Sequence, residues 1–94
     1  SSSNIKIHQN YPNPFNPITF IKYDLEMEGP VKITIYDMMG RLIKTLLNGS
    51  QTAGNKNIKW NATNDKNELV SAGLYLYTIE AGNNIQTMKM ILLK

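Results

Sequence analysis

Three groups of side chains in this 94-residue sequence have the types and spacing to support chemistry. In the first, Asn61, Thr63, Asp65 and Asn67 set side-chain oxygens at alternate positions, with Glu68 adjacent. Calcium takes roughly six to eight oxygens from loops of this kind, so the run is a candidate cation site. Two features oppose it. Lys66 stands where a calcium loop places the glycine of its sharp turn, and Asp65 and Glu68 are the loop's only carboxylates. The competing reading is a loop closed by Asx-type hydrogen bonds. In the second group, Asp24, Glu26 and Glu28 resemble the paired carboxylates of glycoside hydrolysis. They flank a turn, without sugar-stacking aromatics around them, which is the pattern of solvated surface charge. The third is His8, the sole histidine, with no neighbour in sequence that completes a site.

The composition removes further classes. Cysteine is absent, which excludes a disulfide framework, a zinc-thiolate centre and a cysteine nucleophile together. Ten Lys and Arg oppose seven Asp and Glu, but Arg41 is the only arginine and the lysines are scattered from Lys6 to Lys94. Nucleic-acid binding calls for clustered bases, and none are present. Hydrophobic residues at 41% and charged residues at 18% indicate a globular chain, and no apolar run approaches the roughly 20 residues of a membrane span. By area scaling, a domain of this size buries about 64% of its unfolded surface, enough for one modest core. No signal peptide is visible. Ser1-Ser2-Ser3-Asn4 reads as the end of a linker, so residues 1–9 are expected to hold a linker end and a first short strand, and residues 10–94 the domain proper.

The elements that must carry these residues are strands. Period-2 alternation recurs at short intervals, and helical periodicity never lasts beyond about two turns. Strands are predicted over Ile5 to His8, Ile18 to Leu25, Val31 to Tyr36, Arg41 to Leu47, Asn57 to Trp60, Leu74 to Glu80 and Ile85 to Leu93. Thr19, Ile21, Tyr23 and Leu25 form one core face, and Val31, Ile33 and Ile35 another. Ile58 with Trp60, and Tyr75, Tyr77 and Ile79, form two more. Asp37-Met38-Met39-Gly40 makes a tight turn, Asn48-Gly49-Ser50 and Ala53-Gly54-Asn55 bracket a loop, and Asn61 to Ala72 form a longer one. About seven antiparallel strands at this spacing predict an all-β, immunoglobulin-like β-sandwich.

Tyr11-Pro12-Asn13-Pro14-Phe15-Asn16-Pro17 places three prolines in six positions. Each proline fixes its own φ and holds the preceding residue extended, giving a stiff crossover between sheets. Tyr11 and Phe15 are expected to plug the core, and the asparagines to hydrogen-bond a backbone short of N–H donors. A proline-rich recognition ligand is the alternative. At the other end, Met88, Met90 and Leu92 share one strand face while Ile91 and Leu93 share the other, so this strand is apolar on both sides. Its second face is either covered by a loop, the crossover or a neighbouring molecule, or it is part of a docking surface with Lys89 and Lys94. Phe20, Leu74 and Leu76 join that surface if their strands are neighbours.

Taken in order, the Tyr11 to Leu25 segment, Ile35-Tyr36-Asp37-Met38-Met39-Gly40-Arg41, Trp60, Ser71-Ala72-Gly73-Leu74-Tyr75 and Lys89-Met90-Ile91-Leu92-Leu93-Lys94 resemble the type IX secretion system C-terminal sorting domain, type A. That family is related to the immunoglobulin-like module of flagellar hook-capping proteins. The resemblance implies a non-catalytic address at the C-terminus of a larger secreted cargo. It implies passage through the periplasm and outer membrane to the cell surface. The partners implied are the outer-membrane translocon, which would recognise Lys89 to Lys94, and a cell-surface sortase-like peptidase; no cofactor or nucleic acid is expected. Where the family has Asp-Gly after the tryptophan and a later glycine, this chain has Asn61-Ala62 and Asn67. Asparagine tolerates left-handed geometry better than other side chains, so the turn is expected to survive. An accessory immunoglobulin-like or carbohydrate-binding module of an extracellular enzyme is the competing function.

Overall fold

The computed structural model describes residues 5–93; the expected linker end Ser1 to Asn4 and the expected recognition residue Lys94 lie outside the described residues. Among the described residues are seven strands: β1 (Ile5–Ile7), β2 (Thr19–Leu25), β3 (Gly29–Asp37), β4 (Leu42–Gln51), β5 (Gly54–Trp60), β6 (Gly73–Ala81) and β7 (Asn84–Leu92). They pair antiparallel in two sheets, ordered β1-β2-β5 and β4-β3-β6-β7. The expected all-β sandwich is the observed fold. A constant-type immunoglobulin domain places its fourth strand beside the fifth; here β4 stays on β3, so three strands face four. Among the described residues no helix is long and apolar enough to cross a membrane.

Alternation explains the core. Ile21, Tyr23 and Leu25 of β2 face Val31, Ile33 and Ile35 of β3 and Tyr75, Tyr77 and Ile79 of β6, and all nine are buried in one cluster. Trp60 closes that cluster at one end, while Ile58, on the same face, packs at its margin. The alternation is unbroken in β2 and β6, whereas in the central strand β3 Thr34 is buried as well as Ile33 and Ile35.

The strand β4 departs from expectation. It continues through the residues predicted as a loop, because β3 is long enough to offer Val31, Pro30 and Gly29 as partners to Gly49, Ser50 and Gln51. Pairing overrides the turn propensity of Asn48-Gly49-Ser50. Likewise β5 begins at Gly54, drawn into register by Leu25 and Asp24 of β2. Two register shifts against β3 leave Ile43 and Leu46 without opposed partners. These bulges change the rhythm of β4 from alternation to two inward residues for each outward one, so Ile43, Leu46 and Leu47 all pack against the core.

Side chains of the four-stranded sheet fasten the N-terminal segment. The Tyr77 hydroxyl donates to the His8 carbonyl at 3.2 Å, and Gln86 Nε2 donates to the Ile5 carbonyl at 3.2 Å. Burial pushes Tyr77 up to about 12 from its ordinary 10.0, and it raises Tyr23 and Tyr75 as well. The Tyr23 hydroxyl differs in kind, being buried without a hydrogen-bond partner.

Two outcomes follow for stability. Tyr23→Phe should raise unfolding free energy by about 1 kcal/mol, since it deletes an unsatisfied buried hydroxyl, whereas Tyr77→Phe should lower it by about 1 kcal/mol by removing a made bond. Urea denaturation of both variants checks this, and equal losses would contradict it. A tyrosine whose folded pKa is raised stabilises the fold fully below its unfolded pKa. That contribution disappears as pH rises through the folded value. For Tyr77 the loss should therefore run from about pH 10 to pH 12, read as a falling melting temperature that is flatter in Tyr77→Phe.

Candidate functional site

The register brings one set of strand ends together. Thr19 pairs with Trp60, Asp37 with Tyr75, and Gly73 with Leu92, so these residues share one end of the sandwich, the C-terminal pole. An aromatic chain crosses it beneath the surface. Phe15 lies 5.8 Å from Trp60, and Trp60 meets Tyr75 edge-on at 5.6 Å. Trp60 is fully buried, and its Nε1 donates to the Thr63 carbonyl at 2.9 Å, satisfying the one polar group the indole carries. Tyr75 O–H donates to the Ser71 carbonyl at 2.5 Å. The expected signature residues Phe15, Trp60, Gly73 and Tyr75 thus build one structure.

The proline segment forms the pole's outer wall. Tyr11 exchanges backbone hydrogen bonds with Phe20 of β2 at 3.0 and 2.9 Å, and four residues later Phe15 bridges in parallel to Leu92 of β7. The segment thus departs from the expected connection between sheets: it joins β1 and β2, neighbours in one sheet, and on the way reaches across to the edge of the other at Leu92. The peptides before Pro12, Pro14 and Pro17 are all cis. Asn10 is buried and donates through Nδ2 to Thr19 Oγ1 at 2.9 Å and to the Pro12 carbonyl at 3.3 Å. Thr19 Oγ1 in turn donates to the same carbonyl at 2.8 Å, so a small polar knot anchors the segment's start.

Beyond that knot the segment runs alongside β7, an edge strand whose outward backbone groups would otherwise be open. Gln9 Nε2 donates to the Lys89 carbonyl at 3.0 Å, and the Ile91 N–H donates to Asn13 Oδ1 at 2.9 Å. The Phe15 N–H donates to the Ile91 carbonyl at 2.9 Å, and the Leu93 N–H donates to the Phe15 carbonyl at 2.8 Å. An uncovered edge is a template for pairing with other chains, and these bonds close it from Lys89 to Leu93.

The loop between β5 and β6 covers the start of the opposite edge of the same sheet, at Ile43 and Thr45 of β4. The Asp65 N–H donates to the Ile43 carbonyl at 3.1 Å, and the Thr45 N–H donates to Asp65 Oδ1 at 3.1 Å. Both β4 groups point away from β3. Lys44 Nζ lies 3.1 Å from Thr63 Oγ1 and 3.5 Å from Asn67 Oδ1. The loop's own turn is held by Asn64, whose Oδ1 accepts from the Lys66 and Glu68 N–H groups at 2.9 and 3.0 Å. These are Asx-type bonds. Both departures from the family pattern take left-handed backbone, Ala62 at φ 61° and Asn67 at φ 62°. The oxygens of Thr63, Asp65 and Asn67 thus face an ammonium and a backbone N–H, and among the described residues no cluster of three His, Asp or Glu side chains is placed to hold a metal.

The turn after β3 is built around Asp37. Its Oδ1 accepts the Met39 and Arg41 N–H groups at 2.9 Å each, and its Oδ2 accepts Arg41 Nε at 2.8 Å. The Arg41 backbone N–H, followed by its guanidinium and the Met39 N–H, holds the carboxyl below its ordinary 3.8. Gly40 supplies the left-handed step at φ 83°. This is the physical content of the expected Gly40 and Arg41 signature, and Asp37 is its missing member. The four-residue spacing of Asp37 and Arg41 was the signal available for it.

The expected recognition residues separate by face. Met90 and Leu92 are core residues, at 0% and 4% exposure, so the accessible set contracts to Lys89, Ile91 and Leu93. Ile91 and Leu93 are 38% and 50% exposed. Ile91 pairs with Leu74, and Leu76 pairs with Tyr36 and Lys89, which makes a continuous outer stripe on the four-stranded sheet. Phe20 does not join it, because β2 belongs to the other sheet. Tyr11 is likewise not a core plug. It is 72% exposed, since its bridge partner Phe20 faces outward and cross-strand partners share a face. Pro14, Asn16 and Pro17 are exposed beside Phe15, and Asn16 and Pro17 border a groove with Ala62, Leu69 and Leu93. Ile18, Met38, Met39, Leu69 and Leu93 are exposed at this pole, whereas the opposite pole exposes Met27 and Ile85. His8 pairs its Nε2 with Asp24 Oδ2 at 2.9 Å, a link between β1 and β2 at the surface.

A family profile described as the secretion system C-terminal sorting domain matches residues 9–94. Among curated proteins none matches the chain. Among solved structures, dimeric latent PorU from Porphyromonas gingivalis superposes with a TM-score of 0.77 at 21% identity, over 99% of this chain and 10% of PorU. PorZ, a surface component of the type IX secretion system of the same organism, superposes with a TM-score of 0.64 at 19% identity, over 94% of this chain and 11% of PorZ. The DNA-bound alkylpurine glycosylase AlkC of Pseudomonas fluorescens gives 0.60 at 15% identity, over 100% of this chain and 32% of AlkC. At these identities the likenesses establish the fold. The chain spans about a tenth of the PorU and PorZ chains.

Proposed function

The chain belongs to the secretion system C-terminal sorting domain family, and from that premise we propose that its C-terminal pole is read by the type IX outer-membrane translocon. The domain is a sorting signal for a secreted cargo, in a family that is in general non-catalytic. The cargo is a larger polypeptide carried N-terminal to it, which passes through the periplasm and outer membrane. A cell-surface sortase-like peptidase then acts near the junction.

One observation carries this reading: the proline signature and the Lys89 to Leu93 segment, at opposite ends of the sequence, meet at one pole where exposed apolar side chains concentrate. A soluble domain has no need of Ile18, Met38, Met39, Leu69 and Leu93 in water at one end, and such a grouping marks a binding surface. The competing carbohydrate-binding reading calls for a row of exposed rings. Trp60, Tyr75 and Tyr77 are buried, and of the aromatic residues Tyr11 alone is largely exposed among the described residues. For the loop of Asn61, Thr63, Asp65 and Asn67, the arrangement favours a structural cover with Lys44 as its cation over a calcium site.

Deleting Met90 to Lys94 should abolish export of a reporter fused ahead of the domain in a type IX competent host. Ile91→Asp with Leu93→Asp should lower export roughly tenfold while changing stability by about 1 kcal/mol or less, as exposed substitutions do. Normal amounts of extracellular reporter with either variant would overturn the reading. For the loop, titration with calcium should give no heat and leave the melting temperature unchanged; a calcium-dependent rise would restore the metal site.

A further inference from the structure

We infer that Asn13, assisted by Gln9, is a positioning residue that holds the C-terminal segment in the conformation in which it is recognised. The inference rests on the sorting function proposed above and names residues outside the recognised segment. The geometry is specific. Ile91 N–H points outward from the edge of β7 and meets a side-chain acceptor, Asn13 Oδ1, at 2.9 Å, across 78 positions of sequence. Two positions earlier on β7, Gln9 Nε2 donates to the Lys89 carbonyl at 3.0 Å.

A backbone partner at these two places would need the proline segment to run as a regular strand, which its prolines prevent. Pro12 and Pro14 flank Asn13 with fixed φ, which keeps the segment out of regular strand register, and neither has an N–H to give the Lys89 carbonyl. The carboxamides of Gln9 and Asn13 supply the bonds that the irregular backbone does not. Below them the Phe15 backbone takes over, bonding the Ile91 carbonyl and the Leu93 N–H. The three contacts fix the edge from Lys89 to Leu93 in one register, with Ile91 and Leu93 turned outward and Met90 and Leu92 turned into the core. Losing the middle contact frees the strand end at the point where its exposed side chains alternate with buried ones.

Asn13 is exposed and takes no part in the hydrophobic core, so its substitution acts locally. A residue that merely stabilised the fold would change the global melting temperature and export together. A positioning residue changes the Ile91 amide and export with little global effect, and it is rescued by any side chain that keeps the acceptor.

The test compares Asn13→Ala and Asn13→Asp in the full domain, both isolated and fused to the reporter. Asn13→Ala should speed hydrogen exchange at the Ile91 amide by about tenfold, the factor expected for loss of one hydrogen bond. It should lower export at least about threefold with an essentially unchanged melting temperature. Asn13→Asp, which keeps an Oδ acceptor, should restore both. Gln9→Ala combined with Asn13→Ala should lower export further. Wild-type export from Asn13→Ala, or an Asn13→Asp variant as defective as Asn13→Ala, would overturn the positioning role. If the wild-type fusion itself stays inside the cell, the sorting function fails and the export role of Asn13 with it; loss of export on deleting Met90 to Lys94, beside normal export of Asn13→Ala, overturns the positioning role alone.

Discussion

The edge of β7 is the constraint on which the rest of this structure depends. β7 is paired on one side only, to β6, and the chain completes its other side with a segment that can offer few N–H groups. The solution is a mixed ladder in which Gln9 and Asn13 contribute side chains and Phe15 contributes backbone. Once Phe15 is fixed there, its ring falls against Trp60, and Trp60 against Tyr75, so the same contact that closes the edge seats the aromatic core of the pole. The proline signature and the C-terminal motif occur together because neither is completed without the other.

The opposite edge of the four-stranded sheet is covered at its start by a different device with the same logic. Asp65 bonds both the Ile43 carbonyl and the Thr45 N–H, and Lys44 reaches the loop's side-chain oxygens. With both edges occupied near the C-terminal pole, at Ile43 and Thr45 on β4 and from Lys89 to Leu93 on β7, that end of the sheet offers its neighbours a face rather than a strand edge. That face, continuing from Leu42 through Tyr36 and Leu76 to Ile91, meets the apolar pole at Leu93. Covered edges of this kind disfavour edge-to-edge pairing between copies of the domain.

Much of this was legible in the sequence. The alternation of Ile21, Tyr23 and Leu25, of Val31, Ile33 and Ile35, and of Tyr75, Tyr77 and Ile79 places the core, because period 2 is imposed by the pleat itself. The split of Met90 and Leu92 from Ile91 and Leu93 follows from the same rule. What stayed hidden depends on partners distant in sequence. The bulges of β4 arise from counting residues against β3, and the exposure of Tyr11 arises from its bridge to Phe20. The loop from Asn61 to Glu68 leaves a cation site and an Asx-type loop both open in the sequence, since alternating oxygens look alike whether they face a metal, a lysine or an N–H; the approach of Lys44 to Thr63 and Asn67, brought about by the β3–β4 hairpin, has no local signal. The contact of Asn13 with Ile91 spans 78 positions, and no local pattern announces it.

Under the proposed recognition, the segment offered to a partner is folded rather than loose, with Ile91 and Leu93 presented by a strand that is bonded on both sides. The most direct test of that claim is residue-resolved amide hydrogen exchange on the intact domain. The Ile91 and Leu93 amides, which face away from β6, should be protected comparably to the central strand amides of Ile33 and Tyr77. Exchange of Ile91 and Leu93 at the rate of unpaired edge amides, with Ile33 and Tyr77 still protected, would contradict it.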